Sequence, residues 1–269
     1  MKYAHSNAFR AARALGVSLL ALAAFFSAAA QDAPGTPSAS KGFKVAIPGW
    51  TGELAFVPFT AGDGSTKYVS TMEIPWDLFD VFVFSLDEKS ATDASKAVTK
   101  PTKPYVAADR GFGHAGYPAI SLSHKNATQC AQWIGAKASI AARLPTDAEW
   151  QLLCAQAKIP NDALADYAWT VENSPDTTHK CGKKKADALG CFDLLGNAGE
   201  WVNDAEHARL MGGSFQDTRS SVGCASMLTP TEDWNASDPQ FPKSVWWLAD
   251  GPFCGFRVVS DTAPKSTKH

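Results

Sequence analysis

The sequence lacks an excess of basic residues. Its 25 Lys and Arg residues are outnumbered by 27 Asp and Glu residues, which gives a formal net charge of −2. A surface that binds nucleic-acid phosphates needs clustered Lys and Arg side chains. The only basic run, residues 183–185, is short and is typical of a solvated loop. The composition therefore argues against nucleic acid as a partner.

Long apolar runs are also scarce. The run near the N terminus, residues 15–26, is shorter than the roughly 20 residues that a membrane-spanning helix needs, so a transmembrane anchor is not favoured. It follows the basic residues Lys2, Arg10 and Arg13 and is followed by three consecutive alanines. This order is typical of a secretory signal peptide. We expect cleavage near Ala30, export to the periplasm or the medium, and no membrane span.

The rest of the chain shows no internal repeat and no break in composition. Residues 31–42 are rich in Pro, Ser, Ala and Gly and are interpreted as a flexible leader, and residues 261–269 as a frayed tail. The simplest partition is a signal peptide at 1–30 and one domain at 43–260. Because the signal segment carries three positive charges, the exported chain has a net charge of about −5.

The sequence contains no C-x-x-C pair, so zinc-ribbon and thioredoxin-like sites are not favoured. It has six cysteines, and an even count in an exported chain favours disulfides. Since six cysteines allow about fifteen full pairings, the connectivity is a choice among many. For the first and second cysteines, buried free thiols stay an alternative. The pairs expected are Cys181–Cys191, Cys224–Cys254 and Cys130–Cys154.

Apolar residues recur at helical spacing in residues 76–86, in residues 125–138 and after Pro145. The third helix begins with a capping box, in which Thr146 and Glu149 satisfy each other's backbone N–H groups. After about residue 160 the periodicity disappears, which predicts an irregular, loop-rich half. Short strands are expected within 43–59 and at 118–122.

Four groups of residues occur in a fixed order along the chain. They are 117–121 (YPAIS) with 130–133 (CAQW), 142–150 (ARLPTDAEW), 191–201 (CFDLLGNAGEW), and 211–215 (MGGSF) with 255–259 (GFRVV). Together they resemble the formylglycine-generating, or sulfatase-modifying factor, family over about residues 68–260. Any one of these patterns alone is weak, whereas four in the family's order are specific. The resemblance implies an α/β (α+β) domain with a C-type-lectin-like fold, few helices, short strands and many loops.

The resemblance also indicates which residues formylglycine formation would require. Enzymes of the family oxidise a substrate cysteine to formylglycine with copper and oxygen, using two cysteines shortly after the segment that matches 211–215. Here the two matching positions hold Asp217 and Val222, and Cys224 lies two residues after the second of them. Because soft Cu(I) needs thiolate ligands, copper is not expected and formylglycine formation is not predicted.

A non-haem iron site is the other redox metal centre to consider. Such a site usually needs two histidines and one carboxylate. The histidines after the signal segment are scattered and form no H-x-x-x-H or H-x-[D/E] pair, so iron is not expected. These histidines are His114, His124, His179, His207 and His269.

A structural calcium ion is the metal that the resemblance favours. The matching family loop binds Ca²⁺ through positions that correspond to Asp193, Gly196, Ala198 and Glu200. Carboxylates and backbone carbonyls are the ligands that a hard cation prefers. In the alternative interpretation, Asp193 caps a turn and Glu200 forms an ion pair with Arg257.

Tryptophan is abundant, with nine residues. Large aromatic side chains either form the core of a domain with few helices or line a binding groove. Trp234, Trp246 and Trp247 lie in the segment that corresponds to the family's substrate groove. We therefore take these three, together with Arg219, as candidate groove residues.

The sequence supports two main hypotheses. In the first, the chain is an exported binding or accessory module for a peptide or protein partner in the periplasm, and it has lost the family's redox thiols. In the alternative, it is a metal-dependent oxidoreductase of the formylglycine-generating or non-haem iron type, using Cys224 or a site built from Asp217 and His207. A carbohydrate-binding role rests on fold analogy alone and ranks last.

Overall fold

The computed structural model describes residues 41–87, 89, 92–203 and 207–265. The predicted signal peptide at 1–30, its cleavage point and most of the leader lie outside the described residues. The described residues, from 41 onward, group into one unit by their internal contacts. None of its helices is long and apolar enough to cross a bilayer.

A five-stranded antiparallel sheet joins the two ends of the domain. Its strands are β1 (Phe43–Ala46), β2 (Glu53–Thr60), β3 (Thr66–Ser70), β4 (Ala142–Arg143) and β9 (Val259–Ser260), in the order β1-β2-β3-β9-β4. In the first half of β2 alternate residues are buried, with Leu54 and Phe56 each 1 % exposed, as the loose alternation in the sequence predicts. The alternation then breaks, because Phe59 instead of Pro58 is buried. The last strand lies between β3 and β4, so the domain is closed by non-local pairing.

A smaller, four-stranded sheet carries the C-terminal half. It consists of β5 (Gly199–Val202), β6 (Arg209–Met211), β7 (Met227–Leu228) and β8 (Cys254–Gly255), in the order β7-β6-β5-β8, with β5 and β8 parallel. Long irregular loops connect these short strands, as the loss of helical periodicity predicts. Residues 118–122 are not a strand, because they make only isolated bridges at Pro118 and Leu122.

Three of the five α-helices formed by the described residues match the predicted segments. They are α1 (Trp76–Val83), α3 (His124–Ala138) and α4 (Asp147–Ala157), while α2 (Asp93–Lys96) and α5 (Leu164–Tyr167) are single turns. The first ends three residues earlier than expected, where the chain turns at residues 84–87. The capping box of α4 is present: Thr146 Oγ1 accepts from Glu149 N at 3.1 Å, and Thr146 N donates to Glu149 Oε2 at 2.9 Å.

One buried ion pair connects both sheets. Arg257 Nε donates to Glu200 Oε1 at 2.6 Å, and both side chains are fully buried. The other Arg257 nitrogens donate to the backbone oxygens of Ser70, at the end of β3, and Phe192. Trp150 of α4 donates its indole N–H to the second Glu200 oxygen at 2.8 Å. The alternative interpretation of Glu200, pairing with Arg257, is therefore the arrangement observed.

The predicted disulfides are wrong. The structure pairs Cys154 of α4 with Cys224, which replaces the expected Cys224–Cys254 and Cys130–Cys154 bonds. Cys181 and Cys191 are free, as are Cys130 and Cys254. The stripe of α4 that carries Cys154 faces the loop at 222–224 in a cluster with Val222, and this packing cannot be read from cysteine spacing.

Replacing Arg257 with Met should destabilise the domain by about 3–5 kcal/mol, because Glu200 would stay buried without its cation. The matched control is Lys44→Met, which removes the exposed Lys44–Glu53 pair and should cost less than about 1 kcal/mol. Urea unfolding of both variants measures the difference. Equal losses in the two variants would contradict a structural role for the buried pair.

Candidate functional site

An open cleft of about 710 Å³ lies where the resemblance places the family's cysteines. We call it the Arg219 cleft. Its lining residues come from the turn before α5, from Glu172 and from the loop after β6, and they are Asn161, Leu164, Glu172, Arg219, Ser220, Val222, Gly223, Cys224 and Ala225. Arg219 N donates to both oxygens of Glu172, at 2.9 and 3.0 Å. This contact fixes the loop beside residue 172.

The two residues at the family's cysteine positions have structural partners. Asp217 Oδ2 accepts from Ser214 N at 2.8 Å and from Ser214 Oγ at 2.9 Å, which closes a tight turn. Val222 is 7 % exposed and packs against α4 and α5 residues. A turn-closing carboxylate and a buried aliphatic side chain are not ligands for a soft metal ion.

Cys224 lines the Arg219 cleft but is bonded to Cys154, whose own side chain is buried. In this oxidised form neither sulfur is a thiolate, and only a thiolate acts as nucleophile or metal ligand. The predicted alternative site of Asp217 and His207 is not assembled either, because Asp217 is held by Ser214 and no group of three or more His, Cys, Asp or Glu among the described residues is arranged to hold a metal ion.

The candidate groove tryptophans do not share one surface. Trp234 packs against Trp201 and Phe253, and Trp246 is 8 % exposed beneath Lys125, whose Nζ lies 4.3 Å from the ring centroid. These two are mainly core residues. Arg219 lies in its own cleft, and among the four candidates Trp247 alone lines a separate, narrower pocket.

That second pocket, which we call the Trp247 pocket, has a volume of about 160 Å³. Segment 104–110 forms one wall and segment 235–249 the other, with Ser121 between them. Trp247 is held in place because its indole N–H donates to Thr102 O at 2.9 Å. Its remaining wall residues, including Tyr105 and Arg110, carry no recognisable sequence pattern, and the sequence analysis missed them.

Beside this pocket, His114 bridges two carboxylates. Its Nε2 lies 2.7 Å from Asp80 Oδ2 on α1, and its Nδ1 lies 2.9 Å from Asp109 Oδ2. The ring stacks on Trp76 with centroids 5.2 Å apart. Both nitrogens can donate only in the imidazolium form. Partial burial alone would lower the pKa of His114, but the hydrogen bonds to Asp80 and Asp109 outweigh it and raise the pKa.

Two side chains of the predicted calcium site have partners within the chain, and calcium binding by Asp193, Gly196, Ala198 and Glu200 stays a prediction. Both Glu200 oxygens are occupied, by Arg257 and by Trp150. Asp193 accepts from Gly182 N at 2.6 Å through Oδ2, and only its buried Oδ1 has no partner. Burial raises the pKa of the Asp193 carboxyl.

Glu73 is a buried carboxylate that the sequence analysis did not identify. Its oxygens accept from Ala198 N at 2.9 Å and from Asn197 Nδ2 at 2.8 Å, so it organises the turn before β5. Burial, and then the charges of Asp193 and Glu200, raise the pKa of Glu73 well above its ordinary value. Its position between distant segments left no local pattern to detect.

One family of known proteins matches most of the chain that forms these sites. The family described as "Sulfatase-modifying factor enzyme 1-like domain" matches residues 91–262, more than half of the chain. The chain belongs to this family. Its few helices, short curled strands and long loops are the fold that the sequence resemblance implied.

Curated relatives of this sulfatase-modifying-factor-like domain are distant. A formylglycine-generating enzyme of Mycobacterium tuberculosis is 24 % identical over 156 residues, which are 49 % of this chain and 45 % of that enzyme. The serine/threonine-protein kinase Pkn1 of Chlamydia trachomatis is 30 % identical over 96 residues, which are 34 % of this chain and 14 % of the kinase. The chain thus spans less than half of the length of these relatives.

Two solved structures share the fold of the domain. Variable protein 1 of Treponema denticola aligns with a TM-score of 0.58 at 14 % identity, covering 82 % of this chain and 99 % of that one. PvdO from Pseudomonas aeruginosa aligns with a TM-score of 0.53 at 17 % identity, covering 82 % and 91 %. At such identities the likeness establishes the fold alone.

The domain, unfolded without reductant, should expose four thiols, because only Cys154 and Cys224 are bonded to each other. After reduction the count should rise to the six cysteines of the sequence. Titration with a thiol reagent in denaturant measures both values. A count of zero free thiols before reduction would support three disulfides, and a count of six would contradict the Cys154–Cys224 bond.

Replacing His114 with Gln should alter how stability depends on pH. A raised folded-state pKa contributes stability that is fully present below the ordinary His value of about 6.5 and is lost as the pH rises through the folded pKa. The stability difference between wild type and His114→Gln should therefore be largest at acidic pH and shrink above about 6.5. Urea midpoints across this range, with exposed His207→Gln as control, test it; a difference that grows with pH would refute the bridge.

Proposed function

We propose that the chain is an exported binding or accessory module, acting in the periplasm or the medium on a peptide or protein partner, and that it does not form formylglycine. The observation that carries this proposal is the pair Asp217 and Val222 at the family's cysteine positions. Export is inferred from residues 1–30 of the sequence.

The chemistry of the Arg219 cleft supports the non-catalytic part. Copper–oxygen chemistry on a substrate thiol needs paired sulfur ligands. Asp217 instead closes the turn with Ser214, and Val222 is buried in an apolar cluster. Both side chains stabilise the loop, so the two positions have gained packing roles.

The retained scaffold supports the binding part. The buried Arg257–Glu200 pair and the Glu73 contacts maintain the loop architecture although the redox positions have changed. The concave sites on the described surface include the Arg219 cleft and the Trp247 pocket. Concave sites with apolar walls and a few polar groups are typical of ligand binding.

The alternative, an oxidoreductase, has one specific observation in its favour. The Cys154–Cys224 bond lies at the Arg219 cleft, and its reduction would create two neighbouring thiols there. In that form the sulfurs are of the type that a soft metal ion prefers. This pair differs in position from the family's pair, since Cys154 belongs to α4.

One assay separates the two candidates. A cysteine-bearing sulfatase peptide is incubated in air with the oxidised protein, and in parallel with protein reduced and supplied with Cu(I). Aldehyde formation is followed by the mass shift on reaction with a hydroxylamine, with the Mycobacterium tuberculosis enzyme as positive control. We expect no aldehyde in either arm. Aldehyde that appears only after reduction, and is lost in Cys224→Ser, would establish the oxidoreductase.

A further inference from the structure

The Trp247 pocket has the size and the walls to hold one large apolar side chain. Its volume is about 160 Å³, close to the roughly 150 Å³ of an engineered apolar cavity that binds benzene. Tyr105 and Val106 stand at its wall with 71 % and 49 % of their surface exposed. Pro104 and Pro239 add further apolar, conformationally restricted surface.

The acidic groups at this pocket are already satisfied. Asp238 Oδ1 accepts from Gln240 N, and its Oδ2 accepts from Ser244 N and Asn235 Nδ2. The adjacent Asp250 accepts from the backbone and the hydroxyl of Ser237, at 2.7 and 2.6 Å. These carboxylates shape segment 235–250 and have few oxygen lone pairs left for a ligand.

Arg110 carries the positive charge at the pocket, and its hydrogen-bond partners are neutral. Arg110 Nε donates to Ser121 Oγ at 3.1 Å, and Nη2 donates to the backbone oxygens of Leu248 and Ala249. Its Nη1 makes no hydrogen bond to any part of the chain that the structure describes, and no described carboxylate forms an ion pair with the guanidinium. Arg110 is thus positioned by neutral oxygens. The hydrogen bonds from Ser237 and then the charge of Arg110 lower the pKa of Asp250, so the guanidinium also interacts with this nearby carboxylate, which Ser237 holds in place.

We propose that the Trp247 pocket binds an apolar carboxylate, with an aromatic or branched side chain between Tyr105 and Trp247 and the carboxylate on Arg110. The guanidinium suits a carboxylate because its planar N–H groups match the two oxygens. A peptide that ends in an apolar residue presents both groups together, as does a free arylalkanoic acid. The assignment deepens the proposed binding function and rests on it.

The test uses matched probes on the full mature chain. The first is the peptide N-acetyl-Ala-Ala-Phe with a free C-terminal carboxylate, and its controls are the C-terminal amide and the peptide that ends in Ala. A fourth probe, 3-phenylpropionate, represents the free acid. Isothermal titration calorimetry should show binding of the first peptide, with affinity lower by about tenfold or more for the amide, because the charge-assisted hydrogen bond is lost.

Two exposed valines provide a matched pair of variants. Val106→Glu places a negative charge at the wall of the pocket. It should lower the affinity for the peptide with a free carboxylate by about tenfold and change the affinity for the amide much less. Val245→Glu makes the same change at a residue that is 58 % exposed and does not line the pocket, and it should leave binding unchanged. Tyr105→Ala should lower the affinity for the acid and for the amide by similar factors, because it removes only apolar contact.

Each outcome decides between alternatives. Equal affinity for acid and amide, or equal effects of the two Glu variants, would overturn the role of Arg110. Absence of binding by all four probes would overturn the pocket assignment, while the proposed binding function would fail separately if the aldehyde assay were positive. Binding of 3-phenylpropionate without the peptide would support the carboxylate site and identify a small molecule as its source.

Discussion

The buried pair of Arg257 and Glu200 is the interaction on which the rest of the domain depends. A guanidinium without its carboxylate, or the reverse, would be an uncompensated charge in the core, so neither residue is tolerable alone. Through this one side chain, Arg257 reaches Glu200 on β5, the end of β3 and the backbone of Phe192. The strands are short, and the loops between them are oriented by this shared polar centre.

The same centre stabilises the segments that carry the family's motifs in a chain where the sequence resemblance places Asp217 and Val222 at the family's cysteine positions. The residues of 142–150, 191–201 and 255–259 supply the capping box, Glu200, Arg257 and the indole that contacts Glu200. These contacts stabilise the fold whatever lies in the Arg219 cleft. Asp217 and Val222 are held separately from this centre, by Ser214 and by an apolar cluster, respectively.

Binding capacity has a separate structural origin. The walls of the Trp247 pocket come from segments more than a hundred residues apart, and neutral oxygens hold Arg110, the one Lys or Arg among the described residues that line it. His114 ties the neighbouring segment to α1 through Asp80 and Asp109. The pocket is therefore built on positioned side chains at the edge of the core, and the apolar group of the proposed ligand would enter there without contacting the Arg257 centre.

The sequence alone determined the features whose cause is local. Helical periodicity located α1, α3 and α4 to within a few residues. The spacing of Thr146 and Glu149 predicted their capping box, and the ordered motifs identified the family and hence the fold. Tertiary structure decided what depends on chain segments distant in sequence: that Cys154 pairs with Cys224, that Glu200 forms an ion pair with Arg257, and that Arg110 and Trp247 line one pocket. The physical reason is range, because capping and periodicity act within a turn or two of chain, whereas ion pairs, disulfides and pockets form only where packing brings distant segments together.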